Sequence, residues 1–177
     1  MPVRFANNSP DQALRIVGLD PGSLKMGFGV VEERSGRAPL VLKAGVLAPK
    51  PGLPLAERLL FLFNSLGEIF DTFQPREMAL ENVFVGRNVK AAFVLGQARG
   101  VAMLAAASKG ISVFEYAPTS VKKAVAGSGR SDKEQVRHMV CRLLSLELGK
   151  APMDVSDALS LAICHLNSRA LQIRGLA

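Results

Sequence analysis

Two apolar runs, Ile16 to Leu19 and Phe28 to Val31, open the ordered pattern of the chain, separated by Asp20-Pro21-Gly22-Ser23. Short apolar runs bounded by turn residues read as buried strands. A third run, Pro39 to Leu47, follows after a short connection, so three consecutive strands are expected to form an antiparallel meander. Beyond the Pro/Gly-rich stretch 49–54, Leu55, Leu59, Leu62, Phe63, Leu66, Phe70 and Phe73 recur at spacings of three and four. That stripe predicts a helix over 55–73, ended by Gln74-Pro75. Met78 to Leu80 reads as a short buried strand that delivers Glu81 at its C-terminal end. The pattern then predicts a helix over 89–109 with Asn88 as N-cap, a strand over 111–115 and a short helix from Pro118 to Val125. A helix from Ser131 or Asp132 to about Leu146 is expected to start on a capping box of Ser131 and Glu134, and a last helix covers 154–171. Three antiparallel strands followed by alternating helices and strands, without internal repeats, predict one α/β domain built on a mixed sheet. Residues 1–13 read as a flexible polar lead-in and 169–177 as a tail.

Composition narrows the class. With 177 residues, 49% hydrophobic and 21% charged, the chain has the make-up of a globular protein large enough for a real core. No run of about 18 uncharged apolar residues stands out, and the first residues lack a signal-peptide core, so a soluble cytoplasmic protein with no membrane partner is expected. Cys141 and Cys164 lack metal-ligand spacing and read as buried, reduced thiols. A net charge of +7 fits a polyanionic partner or a merely basic surface. Gly96 and Gly100, four apart within a helix, each cost on the order of 1 kcal/mol, so something is expected to approach that face closely. Tight packing on the sheet is the first reading, a subunit interface the second.

Several carboxylates end apolar runs. Asp20 ends the first strand, Glu81 the fourth, and Asp154 and Asp157 open the final helix on one face. Taken singly, Asp20 is a turn residue and the two aspartates are a helix cap with a first-turn acid. Taken together they carry more weight. A βαβ crossover would set strands one and four side by side, with matching C-terminal ends where α/β sites form. Four converging acids would repel one another, so a cation is the natural resolution. Oxygen donors without Cys or His favour Mg²⁺ or Mn²⁺. Between Val121 and Arg142, Lys122, Lys123, Arg130, Lys133, Arg137 and Arg142 outnumber Asp132 and Glu134, which suits a surface that tracks phosphates. Phosphodiester hydrolysis fits both features. His138 and His165 sit within helices and read as structural. Phosphate-loop motifs fail on spacing, and the chain is too short for the second domain and second acidic-glycine loop of the actin-like kinases, whose first phosphate loop is similar to Asp20-Pro-Gly-Ser23.

At these residues a family resemblance is evident. Gly18-Leu-Asp20-Pro-Gly-Ser23, Glu81-Asn-Val-Phe84, Leu95-Gly-Gln-Ala-Arg-Gly100, Val113-Phe-Glu-Tyr116 and Asp154-Val-Ser-Asp157-Ala-Leu159 resemble, in order, the RuvC family of bacterial Holliday-junction resolvases. The resemblance spans about Arg15 to Ser168. It implies a ribonuclease-H-like fold over 14–168, a five-stranded mixed sheet of three antiparallel and two parallel strands flanked by helices. It also implies a homodimer that cuts four-way DNA junctions by paired symmetric nicks in recombination and repair. Asp20, Glu81, Asp154 and Asp157 would then be the catalytic acids, holding two Mg²⁺ per subunit with Mn²⁺ as a substitute. Phe84 would stack on opened bases, and Arg87, Lys122, Lys123, Arg130, Lys133 and Arg137 would contact DNA. The family further implies that the Gly96/Gly100 helix contributes to dimerisation, and that the branch-migration proteins RuvA and RuvB are partners.

Overall fold

The computed structural model describes residues 13–82 and 88–173. The elements run β1 (Arg15–Asp20), β2 (Met26–Glu32), β3 (Leu40–Leu47), α1 (Leu55–Phe73), β4 (Glu77–Glu81), α2 (Val89–Ser108), β5 (Ser112–Tyr116), α3 (Pro118–Ala126), α4 (Lys133–Leu143) and α5 (Met153–Ile173). The sheet order is β3-β2-β1-β4-β5. The meander β1–β2–β3 is antiparallel, whereas β1–β4 and β4–β5 are parallel, as the crossover rule requires.

Strand alternation decides what each face carries. Val17 and Leu19 of β1, Phe28 and Val30 of β2, and Met78 and Leu80 of β4 join Leu62, Leu66 and Phe70 of α1 and Ala98, Ala102 and Ala105 of α2 in one core. The opposite face of β1 reads Ile16, Gly18, Asp20, that of β2 Gly27, Gly29, Val31, and that of β4 Glu77, Ala79, Glu81. It is poor in bulk and holds both strand-end acids. α5 lies on this second face. A Cβ added at Gly18 would sit 2.0 Å from the carbonyl oxygen of Ala158, one at Gly27 2.1 Å from that of Asp154, and one at Gly29 2.6 Å from Leu159 Cδ2. Glycines here let the helix backbone press directly on the sheet. Val155, Leu159, Ile163 and Leu166 of α5 then form the second core with Val136 and Val140 of α4. Ser156 and Ser160, both buried, donate to the helix carbonyls of Met153 and Ser156 at 2.8 and 2.7 Å.

Four expectations need correction. First, α4 is capped by Asp132 and Gln135, not by Ser131 and Glu134. The Gln135 N–H donates to the Asp132 carboxylate at 2.8 Å, and the Asp132 N–H donates to the Gln135 side chain at 3.1 Å. Ser131 is held back because its N–H closes a turn onto the Ser128 carbonyl. The helix also stops at Leu143, before Ser145 turns to φ +51°. Second, Gly96 and Gly100 do not pack on the sheet: among the described residues nothing lies within 4 Å of a Cβ built at either. Third, α2 is long and apolar enough by composition to cross a membrane, its only charges being Lys90 and Arg99. One face of it nevertheless belongs to the first core, and Arg99 pairs with Glu115 of β5. Fourth, Cys141 is only half-buried, whereas Cys164 is buried and its thiol is pushed up to about 11 by burial.

Candidate active site

Parallel pairing of Leu19 with Leu80 leaves Asp20 and Glu81 side by side where β1 and β4 end. The strand period turns both toward α5, which brings Asp157 in from its first turns. Asp20, Glu81 and Asp157 line one cleft of about 300 Å³, together with Lys122, Lys133, Ser160 and the apolar wall of Val121, Val136 and Leu161. Asp154, one turn earlier, stands at the wall of a neighbouring groove rather than inside this cleft. Its charge still reaches Asp20. The four predicted acids are thus brought together as three in a cleft and one at its rim.

Electrostatics show what this convergence costs. Burial first, then the charges of Asp157, Glu81 and Asp154, push the Asp20 carboxyl up to about 7. Burial and Asp157 also raise Glu81. Lys133 is the protein's own partial answer. Its ammonium lies 3.2 Å from an Asp157 carboxylate oxygen. Asp157, that hydrogen bond, Asp20 and Glu81 together raise its pKa. Among the described residues Lys133 is the one charge that offsets the three acids acting on Asp20, which leaves Asp20 short of counter-charge. The described residues nevertheless hold no group of three or more His, Cys, Asp or Glu side chains already in ligating position. The donor chemistry fits hard divalent cations, with the carboxylates yet to draw in around them.

The remaining predicted residues divide. Lys122 lines the cleft, and Lys123 and Arg130 are exposed beside it on α3 and the following turn. Arg137 is occupied elsewhere: its guanidinium donates to the carbonyls of Ala151 and Gly149 at 2.8 and 2.7 Å, holding the loop that leads into α5. Its position serves α5 rather than a phosphate. Phe84 and Arg87 fall outside the described residues. His165 is structural, as expected, buried between the Tyr116 hydroxyl at 2.6 Å and Glu77 at 2.7 Å. Arg169 completes the pairing of Glu77, whose carboxyl is held low by His165 and Arg169 against the upward effect of burial. Reasoning from sequence missed the positioning glycines Gly18, Gly27 and Gly29. Their alternation on one strand face was the available signal.

A five-stranded sheet in this order, with acids at the ends of β1 and β4 and on the helix that crosses them, is the fold of the ribonuclease-H-like resolvases. The yeast mitochondrial Holliday junction resolvase Ydc2 shares the fold, with a TM-score of 0.69 over 93% of this chain and 82% of that one at 12% identity. Closer relatives narrow the class. The family model described as Crossover junction endodeoxyribonuclease RuvC matches residues 16–165, and the chain belongs to the RuvC family. It is 49% identical over 163 residues to the crossover junction endodeoxyribonuclease RuvC of Teredinibacter turnerae, covering 90% of this chain and 91% of that one. It is similar to a Thermus thermophilus RuvC solved in complex with Holliday junction substrate, with a TM-score of 0.84 and 31% identity over 90% of this chain and 96% of that one.

Proposed function

We propose that this protein resolves four-way DNA junctions in the cytoplasm, cutting paired strands symmetrically by phosphodiester hydrolysis that depends on Mg²⁺. The observation that carries this reading is the carboxylate cluster in which Asp20 is pushed up to about 7, placed at the sheet end of a RuvC-family fold. Asp20, Glu81, Asp154 and Asp157 would hold two Mg²⁺, with Mn²⁺ as a substitute. Bound there, such ions supply a nucleophilic water at neutral pH and offset charge on the attacked phosphate.

The chain's own groups do the rest. Lys122 and Lys133 line the cleft and offset the negative charge that builds on the phosphate oxygens in the transition state. Lys133, paired with Asp157 at 3.2 Å, would be held within reach of a phosphate bound beside the acids. Lys123 and Arg130 track the flanking backbone. On the family resemblance Phe84 is assigned to the opened crossover, Arg87 to DNA contact, and RuvA and RuvB are taken as partners.

Two ligatable products need two opposed cuts, which a two-fold dimer supplies. The open face of α2 supports that assembly. Val89, Phe93 and Leu104 are 57%, 70% and 62% exposed, and a groove of about 400 Å³ runs past Ala92, Phe93 and Gly96. Large apolar side chains beside two unfilled glycines favour close helix packing.

The test is incubation of a synthetic four-way junction with the protein in Mg²⁺ and in EDTA. Nicked duplex products are expected in Mg²⁺ alone. Asp20→Asn should abolish them while junction binding in EDTA is kept or strengthened, because a negative charge facing DNA is removed. Product in EDTA, or none in either condition with a folded protein, overturns the reading.

A further inference from the structure

The acids separate two surfaces, and the basic segment of α3 and α4 accounts for only one of them. On the far side, the β1–β2 turn, α1 and the start of α2 enclose a groove of about 700 Å³ that shares Asp154 with the catalytic edge. Its wall carries Lys25, Arg58 and Lys90 against that one carboxylate. Lys25 and Lys90 are exposed, and among the described residues none of the three cations has a carboxylate within ion-pair distance. Arg58 Nη1 donates to the Ser23 hydroxyl at 3.3 Å, which holds the guanidinium at the groove wall. A planar guanidinium has further N–H donors beyond the one given to Ser23, in a fork that matches phosphate oxygens. The first turn of α2 carries no acid to neutralise the helix end that faces the same groove.

We propose that this groove is a second backbone-phosphate subsite, which holds the junction DNA on the side of the acids away from Lys122 and Lys133. The inference rests on the junction-nuclease reading. It makes the scissile phosphate the middle of a held segment: Lys25, Arg58 and Lys90 grip one side, and Lys122, Lys123 and Arg130 grip the other. Clamping both sides fixes the phosphodiester against the acids, which would otherwise repel it, and turns the binding charge into orientation.

The experiment measures binding of a synthetic four-way junction to the full-length chain in EDTA across a KCl series, by fluorescence anisotropy. Lys25→Ala with Lys90→Ala should reduce the slope of log affinity against log salt by about two, roughly 0.9 for each phosphate that the protein no longer neutralises. The melting temperature should stay put, because both side chains are exposed. Lys25→Arg with Lys90→Arg should restore the slope. Lys123→Ala with Arg130→Ala, on the opposite bank, should lower it similarly. If those opposite-bank changes lower the slope and Lys25→Ala with Lys90→Ala does not, the second subsite is overturned and the nuclease reading stands. If the unmodified protein binds no junction at all, both fall together.

Discussion

The two surfaces that glycine opens in this protein meet opposite fates. On the sheet, Gly18, Gly27 and Gly29 form a bare patch that α5 fills, with its backbone at Gly18 and Gly27 and with the Leu159 side chain at Gly29. On α2, Gly96 and Gly100 form a similar bare patch with nothing within 4 Å among the described residues. The same residue type therefore marks a finished internal contact in one place and an unfinished one in the other. The finished contact builds the site, since α5 carries Asp154 and Asp157 and can reach Asp20 only because no side chain intervenes. The unfinished one is where a second copy is proposed to dock.

Breaking the filled patch should have the largest effect. Gly18→Ala or Gly27→Ala would drive a Cβ into a helix carbonyl, which side-chain rotation cannot relieve. A loss of about 3 kcal/mol or more in chemical denaturation is expected. Any folded fraction should cleave a junction on the order of 100-fold more slowly, because α5 and its acids are displaced. Unchanged stability for both variants would show that α5 docks by other means.

Next comes the charge that this docking forces together. A free Asp titrates near 3.8, and Asp20 in the fold near 7. Between those values the folded protein binds more protons than the unfolded chain, so metal-free stability falls as pH rises through about 4 to 7. Asp20→Asn removes the penalty and should raise metal-free stability at pH 8 by roughly 2–3 kcal/mol while leaving pH 4 nearly unaffected. Calorimetric melts at the two pH values check it, and equal melting of both proteins at pH 8 would refute it. The same proton should compete with the cation, so more Mg²⁺ is expected to be needed for cleavage at pH 6 than at pH 8.

Gly29→Ala is a milder probe of the filled patch, because its neighbour is the side chain of Leu159 rather than backbone. A cost of about 1–2 kcal/mol is expected by denaturation. On the open patch the sign should reverse. Gly96→Ala and Gly100→Ala should each stabilise an isolated subunit by up to about 1 kcal/mol through helix propensity. In the dimer the added methyl groups should separate the facing helices. Sedimentation at increasing dilution is expected to show weaker self-association alongside a higher monomer melting point. Unaltered association would remove α2 from the interface.

Much of the fold was legible in the chain. The helix over 55–73 follows directly from its apolar stripe. The antiparallel meander follows from short connections, and the β1–β4 neighbour relation from the crossover rule. Where local signals competed, the reading failed by small steps. Ser131 and Asp132 were both good caps, and only the turn at Ser128 decided between them. Arg137 looked like one more cation in a basic run until its guanidinium was found to hold the 149–151 carbonyls. The face of α2 looked like a sheet contact because a helical glycine signals close approach without saying to what.

The sequence by itself singled out the candidate acids, because strand ends and helix starts are local features written in apolar period and turn residues. It also determined, through alternation along β1 and β4, that Asp20 and Glu81 share a face. Only the tertiary structure decided how far the four acids converge. Asp157 enters the cleft with Asp20 and Glu81 while Asp154 is set at its rim, and the split follows from where α5 comes to rest on Gly18 and Gly27. That resting place is a matter of excluded volume between distant segments. The shift of Asp20 follows from it, since burial and repulsion depend on distances that no local pattern encodes.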